Sequence, residues 1–494
     1  MLDTRSGKVQ GYTRDGVHVF KGIPFARPPV GPLRFQPPQP PEPWAGVLDA
    51  TRYGAISAQL QGRMERLFGA PPIESSEDSL RLNVWTPGLD DARRPVMVWI
   101  HGGAFVNGTG STPWYNGIRF ATAGDVVVVT MNYRLGAFGF LHLADLGGER
   151  FASSGNAGIL DQVAALEWVR DNIEAFGGDP GNVTIFGESA GAMSVGTLLG
   201  TPAARGLFHR AALQSGSSSA VFARDYATSV AEQLIAAAGL APGDIEGLVA
   251  LPTEAVLAAQ GELLAHRAAL NIPFRPVIDG TTLPASPLDA VAAGREGDVP
   301  TLVGTTRDET TLFFLLDKEV AELDEAGLLA RAREVFGDEA DEAVAIYKAN
   351  RAGESPRDLF IAITTDWVFR IPAIHLAEAQ VANGRPAFMY LFTWATPVFG
   401  GALRSCHALE LPFVFDNLQK GASDMFTGDG PERQGLATRM HSAWIAFAHG
   451  GDPGWPSYDG DERATVIFSG EPNRVEPDPM GDERRLWDGV RTAR

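Results

Sequence analysis

GNVTIFGESAGAMSVG, residues 181–196, decides how the rest of the chain is read. Val183, Thr184, Ile185 and Phe186 form a short β-branched and aromatic run, the composition of a buried strand. From Ala190 to Leu199 the residues are small and apolar and continue as a helix, despite Gly191 and Gly196. Between strand and helix lies Gly-Glu-Ser-Ala-Gly, with Ser189 at the turn. A serine there sits in a strained backbone conformation, and flanking glycines let strand and helix approach closely. The Ala190 N–H then points, with the helix dipole, toward any oxyanion formed at Ser189. A solvated serine in an ordinary β-to-α turn carries the same letters, so the surroundings must choose.

Outward from that turn, strands alternate with helices. VMVWI (96–100) and DVVVVTMNY (125–133) are near-continuous apolar runs, as in strands buried on both faces. Residues 157–176 place Ile159, Leu160, Val163, Leu166, Val169, Ile173 and Phe176 at helical spacing, and Gly177, Gly178 and Pro180 end that helix. RAALQS (210–215), TLVGTT (301–306), AFMYLFTW (387–394) and ATVIF (464–468) follow as strands. This alternation predicts an α/β fold, a mostly parallel central sheet with helices on both faces. Residues 221–385 are mostly Ala- and Leu-rich helical pattern around the 301–306 strand. They are predicted to be large helical insertions on one domain spanning 1–494. The proline-rich 23–44 segment is predicted to be a strap packed on the body, because Phe25, Leu33, Phe35 and Trp44 favour burial. A PxxP ligand is the alternative.

Composition narrows the function classes. Hydrophobic residues at 45% and charged residues at 20% describe a globular chain, and a net charge of −19 disfavours nucleic acid or an anionic membrane as partner. The single cysteine, Cys406, excludes an intramolecular disulfide. With no signal-peptide core at the start and no apolar run of spanning length, a cytoplasmic protein is expected. No H-E-x-x-H, Cys-His ligand spacing or P-loop calls for a metal or other cofactor.

A serine hydroxyl becomes nucleophilic only when a base takes its proton, and that base needs a third group to fix its tautomer. On strand–turn–helix scaffolds of this kind the order is nucleophile, acid, histidine. Six histidines follow Ser189: His209, His266, His375, His407, His441 and His449. His209 precedes a strand, three others lie in helical patterns, and His449 lies in the polar AHGGDPGWP. His407, in the connection after the 387–394 strand, has the most suitable position. For the acid, TTRDET (305–310) ends a strand and offers both Asp308 and Glu309. A solvated acidic turn is the bland reading of either. VWIHGGAFVNG (98–108) leaves a buried strand for a glycine-rich turn that brings backbone N–H groups close to a substrate.

These blocks resemble the type B carboxylesterase family of the α/β-hydrolase fold, which includes cholinesterases and bacterial para-nitrobenzyl esterases. FKGIPFARPPVGPLRF (20–35), EDSLRLNVWTP (77–87), VWIHGGAF (98–105), TMNYRLGAFGFL (130–141), FGGDPGNVTIFGESAG (176–191), FHRAALQSGS (208–217), GTTRDE (304–309) and CHALELPFVF (406–415) carry the likeness in family order. The resemblance implies Ser189 as nucleophile, His407 as general base and acid, and Glu309 rather than Asp308 as the orienting carboxylate. It implies an oxyanion hole from the N–H groups of Gly103, Ala104 and Ala190. Ser215 is implied as a partner of Glu309, and Glu188 as an auxiliary carboxylate with a solvated role as its alternative.

Departures from the family are also informative. The disulfide cysteine of animal members is Ser79, and the aromatic that follows is Arg81. Residues 59–76 lack the tryptophan that stacks on quaternary ammonium, so choline esters are not expected. Cys406 is expected to be a packed free thiol. The expected activity is hydrolysis of small-molecule carboxylic esters through an acyl-enzyme. Amide or carbamate cleavage by the same residues, or a non-catalytic binding role, are the alternatives.

Overall fold

The near-continuous apolar runs become the middle of one large mixed sheet. The computed structural model describes residues 1–61, 74–265, 267, 270–295 and 297–490. Among them the sheet takes eleven strands: β1 Tyr12–Arg14, β2 Val17–Pro24, β3 Arg81–Thr86, β4 Arg94–Ile100, β5 Val127–Met131 and β6 Gly178–Glu188, then β7 Arg210–Gln214, β8 Thr301–Thr306, β9 Ala387–Phe392, β10 Thr465–Phe468 and β11 Arg474–Glu476. Their spatial order is β11-β10-β9-β8-β7-β6-β4-β5-β3-β2-β1. From β5 across to β10 every pairing is parallel, and the outer strands are antiparallel. The expectation of a mostly parallel sheet holds for the centre.

Alternation along each strand feeds two cores. Val96, Val98, Ile100, Val183, Ile185, Leu213 and Val303 enter one, shared with α1 (Ala157–Asn172) and α2 (Ala190–Leu199). Met97, Trp99, Phe186, Ala212, Leu302 and Tyr390 enter the other, where α5 (Arg433–Gly450) contributes Met440, Trp444 and Phe447. Helices therefore cover both faces, as doubly buried strands require.

The 221–385 stretch is largely helical, with one unforeseen feature, a short parallel pair of Phe222–Ala223 with Val277–Ile278. Its last part is a continuous helix, Pro356–Ala382, built of α3 (Pro356–Thr365), a π-helical turn (Asp366–Arg370) and α4 (Ile371–Ala382). This corrects the reading that no apolar stretch is long enough to span a membrane. The helix is 27 residues long and apolar enough, but 83% of its most apolar window is buried inside the protein. The proline-rich segment is a strap, with Phe25 and Phe35 buried and Leu33 and Trp44 half-buried. Arg34 anchors it: its Nε and Nη2 donate to Glu77 at 2.8 and 2.5 Å, and its Nη1 donates to the carbonyls of Val249 and Leu251. Two departures from the family fit locally. Ser79 is buried against the hydroxyl of Ser57 at 3.0 Å, and the Arg81 Nη2 pairs with Asp78 at 3.1 Å.

Candidate active site

Because β6, β7, β8 and β9 run parallel and adjacent, their C-terminal ends share one edge of the sheet. Chemistry in open α/β sheets gathers at that edge. Ser189 follows β6, Glu309 follows β8, and His407 lies in the connection after β9.

Ser189 has φ 56° and ψ −127°, a region that non-glycine residues rarely occupy. Its N–H donates to the Gln214 carbonyl at 2.9 Å, so the neighbouring strand holds the strained turn. The turn is possible because Gly187 and Gly191 face each other: a Cβ on Gly187 would stand 2.5 Å from the Gly191 carbonyl carbon. Ser189 is half-buried between buried Glu188 and Ala190, the first residue of α2. The hydroxyl-bearing residue therefore keeps a face open at the N-terminal, positive end of a helix.

The loop after β4 packs on this elbow. A Cβ on Gly102 would meet the Ser189 Cβ at 3.0 Å and a Glu188 carboxylate oxygen at 2.9 Å. Gly103, Ala104 and Phe105 all have positive φ, at 111°, 54° and 59°. His101 orients this loop. Burial lowers its pKa to about 4, so the ring is neutral, and Nδ1 donates to the Gly102 carbonyl at 2.8 Å. A trans peptide directs its C=O and N–H oppositely, so the Gly103 N–H points away from His101. Tyr133 stacks on the His101 ring at 4.5 Å, and its hydroxyl donates to the His101 carbonyl.

His407 and Glu309 meet through their side chains and through the backbone. Nδ1 of His407 lies 2.6 Å from Oε2 of Glu309, whose Oε1 accepts the Thr306 N–H at 2.8 Å. The His407 N–H donates to the Glu309 carbonyl at 3.2 Å, and the Asp308 N–H donates to the Ser405 carbonyl at 2.9 Å. Asp308 is not the solvated turn of its bland reading. It is buried, accepts the Ser405 N–H at 3.2 Å and pairs with Arg307 at 3.0 Å. It therefore holds the chain just before His407 and does not touch the imidazole.

Glu188 is 3% exposed, which removes the solvated alternative. Its Oε1 lies 3.0 Å from Nε2 of His407, within ion-pair distance, although neither atom has an aligned hydrogen bond. His407 thus stands beside the elbow. Burial opposes charge on the ring, but Glu188 and Glu309 outweigh it and hold the His407 pKa well above its ordinary value. Burial raises the pKa of Glu188, partly offset by His407. A third carboxylate, Glu410, escaped the sequence reading. Burial, then Glu188 and Glu309, push its pKa up to about 8, while Gln214 donates to it at 3.1 Å. Its sequence signal was a lone carboxylate inside the apolar LELPFVF run.

Other expected residues are dispersed. Ser215 is buried, but its hydroxyl makes no hydrogen bond among the described residues, and both Glu309 oxygens have other partners. The expected Ser215–Glu309 contact is therefore not formed. His449 is in the last turn of α5 rather than in a loop, with Nε2 2.7 Å from the Gly124 carbonyl, because α5 runs on through Gly450. His209 accepts the Val183 N–H, His375 is in α4, and His441 is within 2.8 Å of the Val414 carbonyl. His266 and most of the 59–76 loop lie outside the described residues. Cys406 is buried, and burial raises its thiol pKa well above the usual value. No group of metal-ligating side chains forms among the described residues.

Comparison with known proteins identifies the family and the fold. The carboxylesterase family profile matches residues 1–479. The para-nitrobenzyl esterase of Bacillus subtilis (strain 168) is 43% identical, with 98% of each chain covered. The phenmedipham hydrolase of Pseudarthrobacter oxydans is 37% identical, with 96% of each covered. The crystal structure of a Geobacillus stearothermophilus carboxylesterase at pH 6.2 superposes with a TM-score of 0.90, at 45% identity over 98% of this chain and 99% of the other. An α/β-hydrolase fold with a strained serine at the sheet edge and a full-length match to ester-cleaving relatives leads to one conclusion: this chain belongs to the carboxylesterase family and is a serine hydrolase of carboxylic esters.

Proposed function

We propose that Ser189, His407 and Glu309 form the catalytic triad, and that the N–H groups of Gly103, Ala104 and Ala190 receive the oxyanion. His407 Nε2 takes the Ser189 proton as Oγ attacks the ester carbonyl carbon. The carbonyl π electrons move to oxygen, and the three N–H groups stabilise that charge. The imidazolium then protonates the departing alcohol as the C–O bond breaks, leaving the acyl-Ser189 ester. Water repeats the sequence: His407 takes its proton, hydroxide adds to the acyl carbon, and the proton returns to Ser189 as the acid leaves. Glu309 fixes the Nδ1–H tautomer throughout.

The observation that carries this reading is the 2.6 Å Glu309–His407 contact beside the φ 56° serine. Substrates are small carboxylic esters, and para-nitrobenzyl or p-nitrophenyl esters are the first to assay. The helical insertions decorate a single domain, and a lone buried thiol suits a reducing, cytoplasmic setting. Assaying a p-nitrophenyl ester beside the matched anilide, with Ser189→Ala as control, tests the reading. Ester turnover that vanishes in Ser189→Ala supports it, and turnover that survives overturns it.

A further inference from the structure

Two features near His407 are costly and play no part in the proposed chemistry. One is the π-helical turn Asp366–Arg370, closed by a hydrogen bond from the Ile371 N–H to the Asp366 carbonyl. Such turns are rare and frequently lie at functional sites. The other is a buried polar chain attached to it. Arg370 donates from Nε and Nη2 to the Asp366 carboxylate at 2.6 and 2.8 Å, bridging the two ends of the turn. Tyr347 donates its hydroxyl proton to Asp366 at 2.6 Å, and the Trp487 Nε1–H donates to the Tyr347 oxygen at 3.0 Å. Arg370 Nη1 also donates to the Pro479 carbonyl at 3.2 Å. Burying an ion pair stabilises a fold weakly at best, whereas it fixes geometry strongly.

What the turn delivers is Phe369. Its ring is 2% exposed and lies 4.9 Å from the His407 imidazole at 42°. The Phe313 ring stands at 5.0 Å and 45°. The two phenyl rings are nearly parallel, at 8°, with centroids 6.1 Å apart. Glu309 at Nδ1 and Glu188, 3.0 Å from Nε2, both meet the edge of the imidazole, and edge contacts alone leave rotation of the ring faces free. Packing by two rings of one orientation removes that freedom.

We propose that Phe369 is a positioning residue for His407, and that the C-terminal segment around Pro479 and Trp487 holds it in place through Tyr347, Asp366 and Arg370. The π turn shifts the helical phase so that Phe369 faces the imidazole while α3 and α4 keep their apolar faces on the body. The C-terminal segment thereby acts on the base from outside the active site. This inference rests on His407 being the general base.

The test compares Phe369→Ala, Phe369→Leu and Tyr347→Phe with wild type and His407→Ala, on a p-nitrophenyl ester well below every variant's Tm. Misplacing a reacting group by about 1 Å costs up to about 100-fold. Phe369→Ala should therefore lose roughly 10- to 100-fold in kcat with KM within about 3-fold, and Phe369→Leu should recover part of the loss. Tyr347→Phe, which removes one hydroxyl remote from the substrate, should lower kcat with KM unchanged. The rate of acylation by a fluorophosphonate should fall in parallel. A lowered Tm with wild-type kcat in Phe369→Leu and Tyr347→Phe would overturn the proposal, whether or not Phe369→Ala folds. Undiminished turnover in His407→Ala would instead overturn the triad on which it rests.

Discussion

Nδ1 of His407 lies 2.6 Å from Oε2 of Glu309, although 98 positions separate them in sequence. The adjacent residue, Asp308, is also buried and points its carboxylate at Ser405 and Arg307. Two neighbouring acids thus meet different partners because their side chains take different directions.

Glu309→Ala should therefore reduce kcat by about 10⁴, the scale seen when a triad carboxylate is lost. Asp308→Ala should reduce Tm, through a backbone donor left unpaired at a cost of about 1–3 kcal/mol, with a much smaller loss of kcat. Steady-state kinetics and thermal melts of both variants check this, and a larger kcat loss in Asp308→Ala would mean the acid is misassigned.

Glu188 should set the acid limb of activity. His407 must be neutral to accept the Ser189 proton, and Glu188 and Glu309 raise its pKa against the effect of burial. The acid limb of kcat/KM should lie above the ordinary histidine value of 6.5. Glu188→Gln removes one negative charge and should move that limb to lower pH. A pH–rate profile that does not move would show that Glu188 leaves the base unaffected.

Glu410 should make stability fall with rising pH. The folded protein keeps its carboxyl proton up to about pH 8, against an ordinary value of 4.5. Between those limits the folded state binds more protons than the unfolded chain, so stability declines as pH rises through that window. Glu410→Gln removes the titrating carboxyl and with it this pH dependence. The Tm of the variant should gain on wild type from pH 5 to pH 8, and parallel Tm curves would contradict the assignment.

The strap should depend on its buried ion pair. Glu77 accepts from Arg34 and from the Thr253 hydroxyl at 2.6 Å, so Glu77→Ala strands a buried guanidinium. A loss of about 3–5 kcal/mol is expected, read by denaturant unfolding. A change under about 1 kcal/mol would indicate that the strap carries no such constraint.

Much of the fold was legible because strands buried on both faces must be apolar throughout. VMVWI, TLVGTT and AFMYLF announce themselves in that way. The antiparallel margins were not, since β1 and β11 are only three residues each and exposed on at least one face. Glu410, Phe369 and Phe313 were missed for a related reason: in sequence they look like core positions, and only their neighbours give them a part in the site. His449 was misplaced because glycines after a helical pattern normally stop it, whereas α5 continues through Gly450 before closing at Gly451.

By itself the sequence determined the alternation of the central strands with helices, the strained serine turn and the glycine loop. Each of these depends on short-range periodicity and on which residues tolerate unusual φ. Residue pattern left Asp308 and Glu309 open and only the resemblance chose between them, while tertiary structure alone added Glu410 to the carboxyls around the imidazole and decided which rings enclose it. Those outcomes depend on side-chain direction and on mutual burial in low dielectric, which exist only once distant segments have packed.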